Sequence, residues 1–122
     1  MDYKTTNIIN WVLTGLVSFI FLGSAFSKLM GGDDAVKMAE GLGLTASVFK
    51  TIGVVELIAI ILFIYPRTGV LGTLLLAAYM GGAIATHLEH GQSILAPVMI
   101  AAFVWIVAVV RFPELRTRIM GE

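Results

Sequence analysis

The sequence predicts an all-α membrane protein with four transmembrane helices in an up-down-up-down bundle and a short helix in the first loop. Three observations support this class. Hydrophobic residues make up 58% of the 122 residues and charged residues 13%, which is more apolar surface than one small water-soluble core can bury. The apolar residues form four stretches, each near the roughly 20 residues that a spanning helix needs. One stretch contains a carboxylate, Glu56.

The four spans are predicted at residues 8–27, 49–64, 69–87 and 94–111, within one transmembrane domain covering residues 1–122. We interpret the first as a membrane helix rather than a signal peptide, because its apolar stretch exceeds the usual 7–15 residues. The second and third spans, and the third and fourth, are joined by short connections. Each of these pairs is therefore expected to form an antiparallel hairpin.

The connection between the first two spans is longer. Asp33 or Asp34 is predicted to cap a short helix that runs to Glu40, and Gly41 and Gly43 are expected to end it. The apolar side of this segment suits a helix at the membrane interface or one folded over the bundle mouth. The alternative interpretation is a solvated excursion with one helical turn.

The third span carries small residues at four-residue spacing, including Ala78, Gly82 and Thr86. Small residues at this spacing let neighbouring transmembrane helices approach closely. We therefore expect this stripe to be a close packing surface.

The basic residues are distributed unevenly, although eight basic and eight acidic residues cancel in total. A balanced charge argues against nucleic-acid binding, which needs clustered Lys and Arg. With four spans, five basic residues share one face and three share the other. The positive-inside rule then predicts that both termini lie in the cytoplasm. We expect the membrane to be the cell (inner) membrane. The two sets are Lys4, Arg67, Arg111, Arg116 and Arg118 against Lys28, Lys37 and Lys50.

The chain contains no cysteine. Thiol–disulfide exchange, Fe–S ligation and thiolate zinc sites are therefore excluded, and any redox role needs a borrowed cofactor. His87 and His90 have the i, i+3 spacing of a metal pair, but the third and fourth ligands are missing. We predict neither a metal site nor a catalytic residue.

Glu56 is the predicted polar centre. A charged side chain at the hydrocarbon midplane costs at least about 2.5–3.5 kcal/mol, so it is expected to face the bundle interior and find partners. It lies roughly 10 Å along its helix, on the side where Lys28 ends the first span and His87 ends the third. These three residues are the candidates for ligand binding or proton relay.

A structural interpretation stays open for the same residues. In this interpretation Glu56 either forms a buried pair with Lys28 or is protonated, and its role is only to fix the helix register. His87 would then be a half-solvated interfacial residue. Four further residues are candidates for lining a pocket: Ser24, Gly53, Tyr79 and Trp105. For Tyr79 and Trp105 the alternative is contact with the core or with lipid.

Four short motifs resemble those of the DoxX-like family of small four-helix membrane proteins, in the same order along the chain. They are FLGSAFSKL at residues 21–29, GVVEL at 53–57, YPR at 65–67 and GAIATHL at 82–88. The resemblance implies a membrane protein that sits beside a redox enzyme or binds quinone. It also marks Lys28, Glu56 and His87 as family-typical positions.

Two classes of function follow. The first is a binding or accessory module for a lipid-soluble ligand such as quinone, acting as a redox-enzyme subunit or a homo-oligomer without catalytic activity of its own. In it Lys28 and His87 would donate hydrogen bonds and Glu56 would orient the ligand or accept a proton. The second is a proton-coupled transporter, similar to small multidrug-resistance exporters that use one membrane-embedded glutamate. Their glutamate lies in the first helix, whereas Glu56 lies in the second.

Overall fold

The computed structural model describes residues 2–121, which are almost entirely helical and contain no strand. The all-α class with several apolar helices is therefore confirmed. The described residues form six α-helices, one more than the four spans and the short helix that the sequence predicts. They are α1 (Tyr3–Met30), α2 (Asp33–Gly41), α3 (Ala46–Ile64), α4 (Gly69–Glu89), α5 (Leu95–Arg111) and α6 (Pro113–Met120), with a 3₁₀ turn at Pro66–Thr68 before α4.

Polar residues extend the first and third helices beyond their apolar stretches. Asp2 caps α1 by accepting a hydrogen bond from the Thr5 amide at 2.7 Å, and this bond lowers the pKa of Asp2 below its usual value. The Thr45 hydroxyl oxygen accepts from the Val48 amide at 3.2 Å and starts α3. Apolar patterning does not detect such caps, so both helices begin earlier than predicted.

The predicted short helix α2 is present, but its cap differs. Gly32 is the N-cap and makes no side-chain hydrogen bond, while Asp33 and Asp34 occupy the first turn. Carboxylates there still favour the positive end of the helix dipole. The helix ends at Gly41, and Gly43 adopts a left-handed conformation with φ of 70°.

Helix α6 is not predicted from the sequence, and it follows a sharp break after α5. Phe112 is extended, with φ −113° and ψ 97°, as expected for a residue before proline. Pro113 then occupies the first position of α6, where its missing amide hydrogen is tolerated. The two helices are bent by 108°.

The four longer helices form a ring of contacts: α1 with α3, α3 with α4, α4 with α5, and α5 with α1. The start of α1, the end of α3, the start of α4 and the end of α5 meet at one end of the molecule, which we call the packed end. The core between these helices consists of side chains that are at most 2% exposed, including Val17, Phe21, Ile60, Phe63, Leu76, Val104 and Val107.

Arg111 holds the packed end together. Its guanidinium donates hydrogen bonds to the backbone carbonyl oxygens of Phe63, at 2.5 Å, and Ile64, at 2.7 Å. These are among the last carbonyls of α3, which have no partner within the helix. The rings of Trp11, Phe63 and Phe112 surround the guanidinium at 4.7–5.6 Å. One cation therefore connects α1, α3 and α5.

Helix α2 covers the opposite end. Ala35 and Ala39 pack against Phe49 at the start of α3. The segment after α2 reaches the connection between α4 and α5, where Gln92 Nε2 donates to the Gly41 carbonyl at 3.2 Å. Of the two predicted placements, this one corresponds to a helix folded over the bundle mouth.

Three helical segments are long and apolar enough to cross a membrane: Tyr3–Met30, Ala46–Ile64 and Pro66–Glu89. Helix α5, with 17 residues, is about 26 Å long, and it meets the same standard only together with the bent α6. The outer faces of the longer helices are apolar, as the exposed Phe19, Ile58, Leu74 and Ile106 illustrate. An outer surface of this kind suits contact with lipid.

The glycines of α4 correct the packing prediction. At Gly81 and Gly82 a Cβ atom would meet nothing within 4 Å, so these positions do not provide close helix contact. Close approach occurs nearer the packed end. A Cβ at Gly72 would collide with the backbone of Phe63, and one at Gly69 with the ring of Phe112.

We therefore expect Gly72→Ala to destabilise the protein, because the obstructing atoms are backbone and cannot rotate away. Overpacking of this kind costs about 1–3 kcal/mol or more. Gly81→Ala on the same helix is the matched control and should be neutral or stabilising, since its Cβ meets open space. Thermal unfolding in detergent measures both variants. Equal midpoints for the two would contradict the close contact at Gly72.

Candidate functional site

Glu56 lies in the middle of α3 and is 2% exposed. Lys28 lies in the last turn of α1, and its Nζ is 2.9 Å from Glu56 Oε1. The Lys28 side chain is 11% exposed. The geometry therefore agrees with the expectation that Glu56 faces inward and contacts Lys28.

Three donors converge on one oxygen of Glu56. Besides Lys28, the Ser24 hydroxyl donates to Oε1 at 3.1 Å and the Tyr79 hydroxyl donates to it at 3.0 Å. Lys28 Nζ also donates to Ser24 Oγ at 2.5 Å. Hydrogen bonds with a charged partner are the strong ones. This network joins α1, α3 and α4.

The second carboxylate oxygen, Oε2, is different. It makes no hydrogen bond with any of residues 2–121, and it is not among their fully enclosed unpaired polar atoms. Glu56 is part of a cavity wall. Oε2 is thus the carboxylate oxygen that remains available to a molecule in the cavity.

The cavity has a volume of about 440 Å³, within the usual range for small-molecule sites. All four longer helices contribute to its wall, and Met38 of α2 and Leu42 line it at the covered end. Most of the wall is apolar. The polar residues of the wall are Ser24, Lys28, Glu56, Tyr79, Thr86 and His87.

Small residues of α4 and α5 create this space. Ala78, Gly82 and Ala83 line the cavity from α4, and Ala96 lines it from α5. The stripe predicted as a close packing surface therefore serves the opposite purpose in this half of α4. It leaves room between the helices.

Lys28 is surrounded by aromatic rings on its free side. Its Nζ lies 5.5 Å from the centroid of Phe49 and 5.9 Å from that of Tyr79, distances that suit cation–π attraction. Gly53 makes the approach of α1 to α3 possible, since a Cβ there would lie 2.9 Å from Lys28 Cβ.

His87 is in the cavity wall but does not contact Glu56. Its Nδ1 lies 2.6 Å from the carbonyl oxygen of Ala83. A carbonyl only accepts, so Nδ1 carries the hydrogen and, in the neutral ring, Nε2 is an acceptor. His87 is two turns, about 12 Å along the axis, from Tyr79. Tyr79 therefore contacts Glu56 at the position that the sequence analysis predicts for His87.

Two residues predicted to line the pocket, Gly53 and Trp105, are not in the wall that the described residues form. Gly53 is buried against Lys28 and Ala25 at the α1–α3 contact. Trp105 is five residues from the lining Ile100, which rotates it by about 140° around α5. Sequence reasoning missed Phe49 and Met38, because a helix folded over the bundle mouth was predicted without the rotation that decides which residues face the cavity.

Among residues 2–121, no group of three or more His, Cys, Asp or Glu side chains is arranged to hold a metal ion. The polar residues of the wall offer hydrogen bonds and one ion pair. Their chemistry suits binding and orienting a mostly apolar molecule that carries a polar group.

The family model described as the DoxX-like family matches residues 12–110. The chain belongs to the DoxX-like family. The match runs from α1 to α5, includes every polar residue of the cavity wall and confirms the resemblance seen in the motifs. No curated protein and no solved structure matches the chain significantly. Together with the apolar helices, the family makes this a small multi-pass membrane protein.

For this DoxX-like protein we expect strong energetic coupling between Glu56 and Lys28. Removing one partner of a buried pair leaves an uncompensated charge and costs about 3–5 kcal/mol. Glu56→Ala and Lys28→Ala should each lower the unfolding free energy in detergent by about that amount. The double variant should lose much less than the sum.

Lys50→Ala is the matched control for this cycle, since Lys50 is an exposed lysine at the same end of the bundle. Its loss should change stability by less than about 1 kcal/mol. Strict additivity of the Glu56 and Lys28 substitutions would contradict the coupling.

Proposed function

We propose that this DoxX-like protein binds a lipid-soluble ligand such as a quinone in the cavity at Glu56. One observation carries the proposal: a largely apolar cavity has a buried carboxylate in its wall, and Oε2 of that carboxylate has no partner among the described residues. A protein that needed only helix registry has no use for an open cavity at its ion pair. A ring with a polar substituent matches such a wall.

The aromatic residues support a flat ligand. Phe21, Phe49 and Tyr79 all line the cavity, and aromatic side chains pack well against ring faces. Three hydrogen bonds within the protein hold Glu56 Oε1 in place, which favours a preformed site. Preformed sites of this type are the usual pattern for small molecules.

We assign the protein an accessory role in a redox system rather than a catalytic one. The sequence contains no cysteine, so electrons from thiol chemistry would come from a partner. A redox enzyme in the same membrane is the partner class that we propose. The DoxX-like protein would hold its lipid-soluble substrate or product.

Proton-coupled transport is the alternative function, and the buried membrane carboxylate is the observation that favours it. Such a cycle requires Glu56 to bind and release a proton, and so to weaken its ion pair, in every turnover. Three donors hold Oε1 in a network that joins α1, α3 and α4, so each turnover would have to rearrange that network. Ligand binding needs no such rearrangement.

We also propose that the four longer helices cross the bilayer in alternating directions, with the packed end at the cytoplasmic face. The meeting of helix starts and ends at the packed end supports alternation. Arg67, Arg111, Arg116 and Arg118 all belong to that end, which supports the orientation. The 108° bend would let α6 lie along the membrane surface, where its arginines attract anionic lipids.

Single cysteines test this topology cleanly, because the chain has none of its own. A cysteine at the exposed Thr117 of α6 should react only after the membrane is permeabilised, and one at the exposed Asp34 of α2 should react from outside. The opposite labelling pattern would overturn the orientation. Equal labelling of both sites from outside would indicate dual topology and would favour the transporter.

Two neighbouring glycines of α4 test the cavity itself. Gly82 lines it and Gly81 does not, yet both have open space at Cβ. Gly82→Leu should fill the cavity and weaken ligand binding by at least about tenfold, whereas Gly81→Leu should leave binding unchanged. Thermal stabilisation by ubiquinone-1 or ubiquinol-1 measures binding. Mass spectrometry of lipophilic molecules retained by each variant provides a second readout.

The proposal fails if neither ring compound stabilises the wild-type protein and no lipophilic molecule is retained after gentle purification. It also fails if Gly82→Leu and Gly81→Leu retain the same molecules with the same affinity.

A further inference from the structure

The hydrogen-bond donors of the cavity wall are almost fully used within the protein. Ser24 and Tyr79 donate their hydroxyl hydrogens to Glu56 Oε1. Thr86 donates to the Gly82 carbonyl at 2.8 Å, and the His87 Nδ1 hydrogen goes to Ala83. One ammonium hydrogen of Lys28 remains, and the rings of Phe49 and Tyr79 stand beside it.

Two strong acceptors, in contrast, are left unpaired within the described part of the chain. Glu56 Oε2 makes no hydrogen bond, and neither does His87 Nε2, which is an acceptor in the neutral ring. Glu56 Oε2 belongs to a side chain that is 2% exposed. An anionic acceptor without a partner favours a hydrogen-bond donor, so a molecule in the cavity that brings a hydrogen to Oε2 fits this site.

We infer that the cavity selects ring ligands that carry a hydroxyl hydrogen, so that it binds a hydroquinone or related phenol in preference to the corresponding quinone. This inference rests on the proposed function and specifies the ligand of the same site. A quinone offers only carbonyl acceptors, which would meet the Glu56 carboxylate oxygen without a hydrogen between them. A hydroquinone donates to Oε2 and lies against the same apolar wall.

His87 provides a second acceptor closer to the covered end. The axial distance from Tyr79 to His87, about 12 Å, spans more than one ring. We therefore assign the ring hydroxyl to Glu56. His87 Nε2 is available to a donor elsewhere on the ligand.

This selectivity gives the protein a place in a reaction sequence. Tighter binding of the hydroquinone draws the bound quinone–hydroquinone pair toward its reduced form. The reaction that supplies the ligand is then the reduction of a quinone, or the reaction that consumes it is the oxidation of a hydroquinone. Both belong to a partner enzyme, and no electron transfer by this protein is involved.

The first experiment compares three probes on wild-type protein in nanodiscs under anaerobic conditions: ubiquinone-1, ubiquinol-1 and ubiquinol-1 with both ring hydroxyls methylated. The other ring substituents are the same in each, the dimethyl ether shares the aromatic ring of ubiquinol-1, and only ubiquinol-1 carries a hydroxyl hydrogen. We expect ubiquinol-1 to bind at least about tenfold more tightly than the other two, the size expected for a hydrogen bond to a charged acceptor. Equal or weaker binding of ubiquinol-1 would overturn the inference.

The second experiment changes the acceptor. In Glu56→Gln the amide oxygen can keep the Oε1 contacts while the amide nitrogen takes the place of Oε2 and donates. The variant should lose the preference for ubiquinol-1 or reverse it in favour of ubiquinone-1. Glu40→Gln, at an exposed glutamate outside the cavity wall, is the control and should keep the wild-type preference.

The outcomes separate the two levels of the proposal. If no ubiquinone-1 derivative binds to the wild-type protein, the proposed function fails. If all three bind equally well, or Glu56→Gln keeps the preference for ubiquinol-1, the proposed function stands and the inference fails. The wild-type comparison decides the inference even if Glu56→Gln does not fold.

Discussion

The ion pair between Glu56 and Lys28 is the constraint on which the rest of this structure depends. A carboxylate inside an apolar helix must find a partner, since burying it alone costs far more than helix packing returns. The pair forces α1 and α3 to cross closely, and Gly53 provides the space for the Lys28 stem at that crossing. Ser24 and Tyr79 then add hydrogen bonds to the same carboxylate oxygen from α1 and α4. The position of α4 relative to α1 is fixed by the same oxygen.

The two ends of the bundle are built differently, and α4 shows why. Near its start Gly69 and Gly72 allow the end of α3 and Phe112 to approach closely. Arg111 there donates to the last carbonyls of α3, which have no partner within the helix. Beyond Tyr79, small residues of the same helix face open space instead. Tight packing at one end holds the helices while a cavity forms at the other.

The Glu56 network also gives the cavity its chemical character. A buried ion pair that served structure alone would be expected to use both carboxylate oxygens, because each unpaired buried acceptor weakens the folded state. Here all three donors converge on Oε1. The protein's own donors hold this carboxylate oxygen in place, and Oε2 is left without a partner among residues 2–121. This combination is typical of a binding site on a rigid scaffold.

The sequence alone determined the class and the polar centre of this protein. Long apolar stretches predict membrane helices. Because a charge in an apolar helix is costly, the sequence also predicts that Glu56 faces inward and contacts Lys28. The tertiary structure alone decided which other residues contact Glu56 and Lys28. Helical periodicity identifies residues that share a face, but the rotation and crossing of helices decide what stands opposite. For this reason Tyr79 rather than His87 contacts Glu56. Gly53 lies at the contact between α1 and α3, and Trp105 lies outside the cavity wall. Gly72 rather than Gly82 carries the close packing for the same physical reason.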